Sequence, residues 1–385
     1  MERNKRTRRK QEEYYFDYAL LFIVLFLLVF GLVMLYSVSS YEAGLDYGDS
    51  AYYLKKQAFA TSLGLVIMFG IAKIDYHFWE KFAVFGYVAS VVCILLVKSP
   101  IGKTTKGASR WILIGPISIQ PAEIAKLAMI LFLAVMVCKM GKSIRTWKGL
   151  GILIAMPVPI AALIKVVTNN LSSAIIVIGI AVLMIFVATP QYKRYLLFAL
   201  AGMVGAALVV FYIKMSAAEG TGFRGARILA WLDPQAYASD TGFQTLQALY
   251  AIGSGGLWGK GLGRSMQKLG FLPEAQNDMI FSIICEELGL FGAFAIIMLF
   301  VILLWRFMVI ANNASDLFGA LLVVGVMGHI AIQVILNIAV VTNTMPNTGI
   351  SLPFISYGGT SIVFLLGEIG LALSVSRGIR LKDVG

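Results

Sequence analysis

Histidine and cysteine are scarce in this 385-residue chain, at two and three residues. His77 and His329 stand far apart, so a histidine-based metal cluster and a serine–histidine triad find no support. Cys93, Cys138 and Cys285 fall in or beside apolar runs without metal-ligand spacing. They read as small packing residues and imply no disulfide framework. Charge is thin as well, at 14% of residues, with 32 basic against 20 acidic side chains. No internal repeat stands out, which argues against a transporter built from inverted halves. No small-residue cleavage site follows the first apolar run, so that run is expected to remain as an anchor.

What the chain has in abundance is apolar surface: 59% of residues are hydrophobic and mean hydropathy is +0.83. Spans of about 20 apolar residues recur, and the pattern predicts about ten: Asp17–Ser40, Tyr53–Lys73, Phe78–Val97, Gln120–Met140, Gly149–Val167, Leu171–Thr189, Tyr195–Met215, Asp278–Trp305, Asp316–Val341 and Thr360–Ser376. The expected fold is an all-α polytopic membrane protein forming a single domain over 1–385. It has a basic N-terminus at 1–16 and a large loop at 216–277, between the seventh and eighth spans.

Short loops set the orientation. MERNKRTRRK carries six basic residues, and Lys139, Lys142, Arg145, Lys148, Lys193, Arg194, Arg377, Arg380 and Lys382 fall on the same side for ten spans. The positive-inside rule makes that side, and both termini, cytoplasmic. The segments Tyr41–Tyr52, Lys98–Ile119, Ser216–Asn277 and Thr342–Gly359 then face outward. Basic residues in them, such as Lys98, Lys103, Lys106, Arg224 and Arg264, suit solvated loops or an anionic lipid headgroup. Basic residues split across two faces of a membrane do not fit nucleic acid.

Four outward segments concentrate unusual residues. In GASRWILIGPISIQPAEIAK, Arg110 sits at the interface and Pro121 opens a helix. Glu123 and Lys126 share one face at i, i+3, suited to a neutralised pair inside the bundle or to substrate contact. FRGARILAWLD reads as an amphipathic interfacial helix, with a second helical piece at Gln244–Ile252. GSGGLWGKGLG, with Lys260, is a flexible turn or a backbone cradle for phosphate, and it lacks the Ser or Thr of a Walker loop. LPFISYGGTS reads as a non-helical loop, and its Ser356 has no base in the motif to make it a nucleophile.

The stretch LPEAQNDMIFSIICEELG is the most informative. Pro273 ends a loop and Asp278 sits just inside the next span. A carboxylate there costs roughly 2.5–3.5 kcal/mol at the bilayer centre and less near the interface. Glu274, one turn earlier, suits a helix-start acid, while Glu286 and Glu287 lie two turns deeper and need partners. Asp278 is placed to act as a general base on a membrane-anchored substrate.

Taken in order, GASRW…IQPAEIAKL, AIGSGGLWGKGLGRSMQKLGFLPEAQNDMIFSIICEELG and MPNTGISLPFISYGGTS resemble the SEDS family of shape, elongation, division and sporulation proteins. The wording GKGLGRSMQK is nearest the FtsW branch. Asp278 matches the family's essential acid, and Arg110, Glu123 and Lys126 match functionally important positions near its central cavity. Three departures stand out. Gln276-Asn277 replaces His-Thr before the acid, Asn169-Asn170-Leu171-Ser172-Ser173 replaces Gln-Pro-Asp-Leu-Gly, and Asn343 replaces a frequent glycine. A second catalytic carboxylate at position 170 is therefore unavailable.

The resemblance implies a bacterial plasma-membrane glycosyltransferase that polymerises lipid II during division. Asp278 would deprotonate the acceptor's 4-hydroxyl, which displaces undecaprenyl pyrophosphate from the growing chain with inversion, giving a β-1,4 bond. Arg110, Lys126 and Lys260 are expected to stabilise pyrophosphate charge, with Glu123 and Ser356 in substrate contact. A divalent cation, Mg or Mn, is the one expected cofactor, with Asp278 as its ligand if not the base. No organic cofactor is implied. Expected partners are lipid II, the undecaprenyl-pyrophosphate-linked glycan, a class B penicillin-binding protein transpeptidase and other divisome proteins. The rival readings are a lipid II flippase and a scaffold for a transpeptidase.

Overall fold

Long apolar runs with polar breaks become helices because in lipid every backbone N–H and C=O must bond within the protein. The computed structural model describes residues 15–105, 108–115, 117–189, 192–215 and 223–379. Among them, ten helical stretches are long and apolar enough to cross a membrane, matching the ten expected spans. The basic N-terminal decapeptide, Lys106, Arg380 and Lys382 lie outside the described residues.

The helices are α1 (Tyr18–Tyr47), α2 (Tyr52–Lys73), α3 (Ala83–Leu96, led by a 3₁₀ turn), α4 (Pro121–Met140), α5 (Trp147–Ala155), α6 (Pro157–Val167), α7 (Leu171–Ala188), α8 (Tyr192–Met215), α9 (Phe223–Leu232), α10 (Phe243–Gly255), α11 (Ile280–Asn312), α12 (Leu317–Val341) and α13 (Thr360–Arg377). The fifth span is α5 followed by α6, which meet at Pro157, where proline removes a helix hydrogen bond. α4, α7, α11, α12 and α13 pack around a shared apolar core that includes Ile130, Ile180, Ile284, Val326 and Leu366. α8 packs beside α9 and keeps most of its described apolar side chains exposed, with Tyr195 reaching the core.

An even number of spans returns the chain to its starting side. Tyr15 N–H donates to the Ile379 carbonyl at 2.9 Å, joining the two described ends. Arg306 of α11 closes the same end, pairing at 2.7 Å with the buried Asp17 that caps α1.

Two features depart from the expected pattern. The loop after α3 folds into a small antiparallel sheet, β1 (Gly102–Thr105), β2 (Ala108–Ile114) and β3 (Ile117–Ile119), in the order β1-β2-β3. The second departure is in α11, which starts at Ile280, two residues past the expected Asp278, and breaks at Gly289 (φ 69°, ψ −169°).

The glycine-rich segment fills that break. Lys260 and Gly261 N–H groups donate to the Glu286 and Glu287 carbonyls at 2.9 Å, and Leu290 N–H donates to the Gly256 carbonyl at 2.9 Å. The loop thus replaces the lost helix bonds. Gly259 (φ 78°) must be glycine: a Cβ there would lie 2.2 Å from the Glu287 carbonyl oxygen. Gly259→Ala is expected to cost about 2 kcal/mol or more, read as a lower melting temperature in detergent. Gly253→Ala, in the last turn of α10 where a Cβ would meet no neighbouring atom within 4 Å, should leave melting unchanged or raise it.

Candidate active site

Asp278 lies in the turn that precedes α11, two residues before the helix, and is 8% exposed. Asn337 of α12 fixes this turn, donating at 2.7 Å to the carbonyls of both Asp278 and Ile350. The Tyr357 N–H donates to the Gln276 carbonyl at 2.9 Å. The 343–349 loop closes over the carboxylate, since a Cβ on Gly349 would stand 3.7 Å from Asp278 Oδ2. Three side chains from two helices hold that loop: Ser172 of α7 donates to the Thr348 carbonyl at 2.5 Å, and from α9 Arg227 donates to the Asn347 carbonyl at 3.2 Å and Trp231 to the Asn343 carbonyl at 3.0 Å. Glu274 does not cap a helix. It sits at φ 57° with its carboxylate on the Asn277 side-chain amide.

Arg227 brings positive charge to this acid, and Arg110 in turn acts on Arg227. Burial pushes the Arg227 guanidinium below the usual arginine value; the attraction of Asp278 opposes that shift and the repulsion of Arg110 adds to it. Burial likewise lowers Arg110, whose Nη2 donates to the Asn169 carbonyl at 3.3 Å and whose buried Nε has no hydrogen-bond partner among the described residues. Two partly desolvated guanidiniums that repel each other gain from an anion placed between them. Arg227 belongs to this group; the sequence offered it as part of an interfacial helix and as one of the outward basic residues suited to an anionic headgroup. The signal was present as two basic residues three apart on an amphipathic helix.

The other expected site residues divide. Glu123 and Lys126 form a 2.8 Å ion pair inside the first turns of α4, with side chains 6% and 1% exposed. Lys260 differs from expectation: it pairs with Glu286 at 2.7 Å, about 9 Å along α11 from its first residue. Ser356 also differs. It is buried and its Oγ accepts from the Leu352 N–H at 2.8 Å, closing its own turn. Glu287 gains Lys268 at 2.8 Å and the Ser37 hydroxyl of α1 at 2.8 Å, so both deep acids are structural. His329 bonds Glu368 of α13 at 2.7 Å in the buried core. No group of three or more His, Cys, Asp or Glu residues among the described ones is placed to hold a metal ion.

The departures at asparagine have local causes. Asn170 caps α7, its Oδ1 accepting from the Ser173 N–H at 3.0 Å, a role Asp and Asn fill about equally. Asn343 takes φ 55°, which glycine or asparagine tolerates, and its amide donates to the Trp231 carbonyl at 3.3 Å.

A ten-span helical bundle whose outward loops gather the buried Asp278 and two arginines at one end defines a polytopic membrane protein. The chain belongs to the FtsW/RodA/SpoVE family, described as cell cycle proteins, whose model matches residues 18–381. It is 39% identical over 363 residues to stage V sporulation protein E of Bacillus subtilis, covering 94% of this chain and 97% of that one. It is 38% identical over 373 residues to a probable peptidoglycan glycosyltransferase FtsW of Trichlorobacter lovleyi, covering 96% and 95%. Among solved structures it is similar to a chain described under structural coordination of polymerization and crosslinking by a peptidoglycan synthase complex, with TM-score 0.76, 27% identity and coverage of 94% and 98%. It is also similar to the rod shape determining protein RodA of Thermus thermophilus, with TM-score 0.64, 26% identity and coverage of 94% and 97%.

Asn337 should govern the order of the acid's turn. Asn337→Leu leaves two buried carbonyls without their donor and is expected to cost about 1–3 kcal/mol. Hydrogen exchange should rise across 272–279, while α13 keeps its protection. Unchanged exchange in that turn would show that Asn337 does not hold it.

Proposed function

We propose that this chain is a peptidoglycan glycosyltransferase that polymerises lipid II into β-1,4 glycan strands, as a multi-pass protein of the bacterial plasma membrane with both termini cytoplasmic. The observation that carries the reading is Asp278 held in a braced turn within electrostatic reach of Arg227, which also feels Arg110. Names borne by relatives over nearly the whole chain support the same activity.

The chemistry divides between these groups. A sugar on a diphosphate already carries a good leaving group, so the poorly nucleophilic acceptor hydroxyl is what needs help. Asp278 takes the proton of the acceptor's 4-hydroxyl, and that oxygen attacks the anomeric carbon of the donor from the opposite face. The C–O bond to the diphosphate breaks with inversion, and Arg110 and Arg227 stabilise the charge that leaves on its oxygens. The buried Glu123–Lys126 pair is electrically neutral as it stands and serves the site by shaping the start of α4.

A divalent cation fits only as an ion held chiefly by diphosphate oxygens with Asp278 as its protein carboxylate, a mode Mg adopts. It would supply further stabilisation of the leaving charge. The two arginines supply positive charge at the same place, so the assignment of Asp278 as base is preferred. The expected partners remain a class B penicillin-binding protein transpeptidase and other divisome proteins. The similar solved chain comes from a synthase complex, which supports a transpeptidase partner.

Purified protein given lipid II should make glycan strands, and Asp278→Asn should lower the rate at least 10²-fold, within the range of a general base. Near-normal strands from this variant would sink the base and ligand roles together. Loss of activity in EDTA that Mg restores would move Asp278 from base to ligand. A flippase instead makes no polymer but moves lipid II across liposomes, and a pure scaffold tolerates loss of Asp278.

A further inference from the structure

A cavity of about 230 Å³ opens beside the Asp278 turn, between α9, the turn before α10 and the loop that covers the acid. Trp231 and Phe243 give it apolar walls, and Arg227 and Asp240 bring one charge of each sign. Gln244 joins it to the catalytic turn. Its amide donates to the Pro273 carbonyl at 3.1 Å and its oxygen accepts from Asn347 at 2.7 Å. Thr241 also lines the cavity, and its buried Oγ1 has no hydrogen-bond partner among the described residues. Leaving such a hydroxyl unbonded costs about 1–3 kcal/mol, so it points to a ligand that bonds it.

The lining selects the ligand's chemistry. One arginine against one aspartate leaves no net charge, which disfavours a diphosphate and favours a neutral polar group. The volume is below the roughly 300–1,000 Å³ of clefts for drug-sized ligands, and so takes one ring of a glycan, with the next ring left outside, rather than a peptide. A lipid tail would strand Arg227, Asp240 and the Thr241 hydroxyl. An N-acetylated pyranose offers hydroxyls and an amide to these groups and a C–H face to the aromatic walls.

We propose that this cavity is a subsite for one N-acetylhexosamine ring of the lipid-linked substrate, with the Thr241 hydroxyl bonding the sugar. Arg227 is shared between this subsite and the Asp278 site, so the ring and the reacting centre are held by one side chain. The proposal rests on the glycosyltransferase reading, and its test is a binding measurement that does not need turnover.

Saturation-transfer NMR with N,N′-diacetylchitobiose on the full-length protein in detergent is the test. Saturation of the acetyl protons is expected with wild type, with Thr241→Ser and with Asp278→Asn. Thr241→Val keeps the shape, removes the hydroxyl and should weaken binding at least fivefold with unchanged melting. In polymerisation assays Thr241→Val should raise KM for lipid II about fivefold with kcat within twofold, and the same rise should persist with lipid II lacking its stem peptide. No saturation with wild type, equal saturation with Thr241→Val, or a KM effect that vanishes without the peptide overturns the subsite. Failure of wild type to make polymer while chitobiose binding depends on Thr241 would instead defeat the glycosyltransferase reading and leave a sugar-binding cavity.

Discussion

The break in α11 at Gly289 is the constraint from which the site is built. A helix interrupted at membrane depth leaves carbonyls and N–H groups that lipid cannot satisfy, each costing several kcal/mol. The 256–261 segment supplies those bonds, and only glycine fits at the closest approach, where the backbones of Gly259 and Glu287 meet. Once the loop is seated, Lys260 and Lys268 reach Glu286 and Glu287. Removing one partner of such a buried pair typically costs about 3–5 kcal/mol, so the pairs tie the loop to the helix. The segment from 262 to 279 then runs between two fixed points. Asp278 lies at its end, where Asn337 bonds its carbonyl.

Charge inside the bundle follows one rule. Glu123 has Lys126, Glu286 has Lys260, Glu287 has Lys268, Asp17 has Arg306 and Glu368 has His329. Each deep acid is matched by a basic group close by, as the cost of an isolated charge in a low-dielectric interior demands. Arg110 and Arg227 are a different case. Both are partly desolvated and both donate to backbone carbonyls, and Arg227 feels the attraction of Asp278 and the repulsion of Arg110. Two guanidiniums that repel each other are costly in a partly desolvated place, and on the proposed reading a diphosphate would relieve that repulsion.

The spans were legible because hydropathy and loop charge act locally: all ten were found, as was the amphipathic α9, although α1 and α11 run about two turns past the expected ends at Ser40 and Trp305. Asp278 was legible because carboxylates beside spans are rare. The roles of Lys260 and Ser356 were not, since nothing local shows that Lys260 meets Glu286, 26 residues on, or that Ser356 closes its own turn. Arg227 was legible only as one outward cation among several: its nearness to the Asp278 turn and its bond to the Asn347 carbonyl come from the fold. The β1–β3 sheet escaped because its strands are short and sit in a segment punctuated by Gly and Pro.

Asn170 shows how the chain does without a second acid. The position is a helix cap, and asparagine's oxygen caps α7 as an aspartate's would. The fold therefore loses little, but the electrostatics change. The neighbouring Asn169 carbonyl accepts from Arg110, and no carboxylate stands at 170 to neutralise that guanidinium. An acid there would lower the anion affinity of Arg110 and compete with Asp278 for a shared proton or ion. In the proposed reaction asparagine leaves the positive charge of Arg110 available to the diphosphate, and proton removal from the acceptor falls to Asp278. On that reading two arginines serve the leaving group and one carboxylate the nucleophile, a division of labour that asks for no carboxylate at 170.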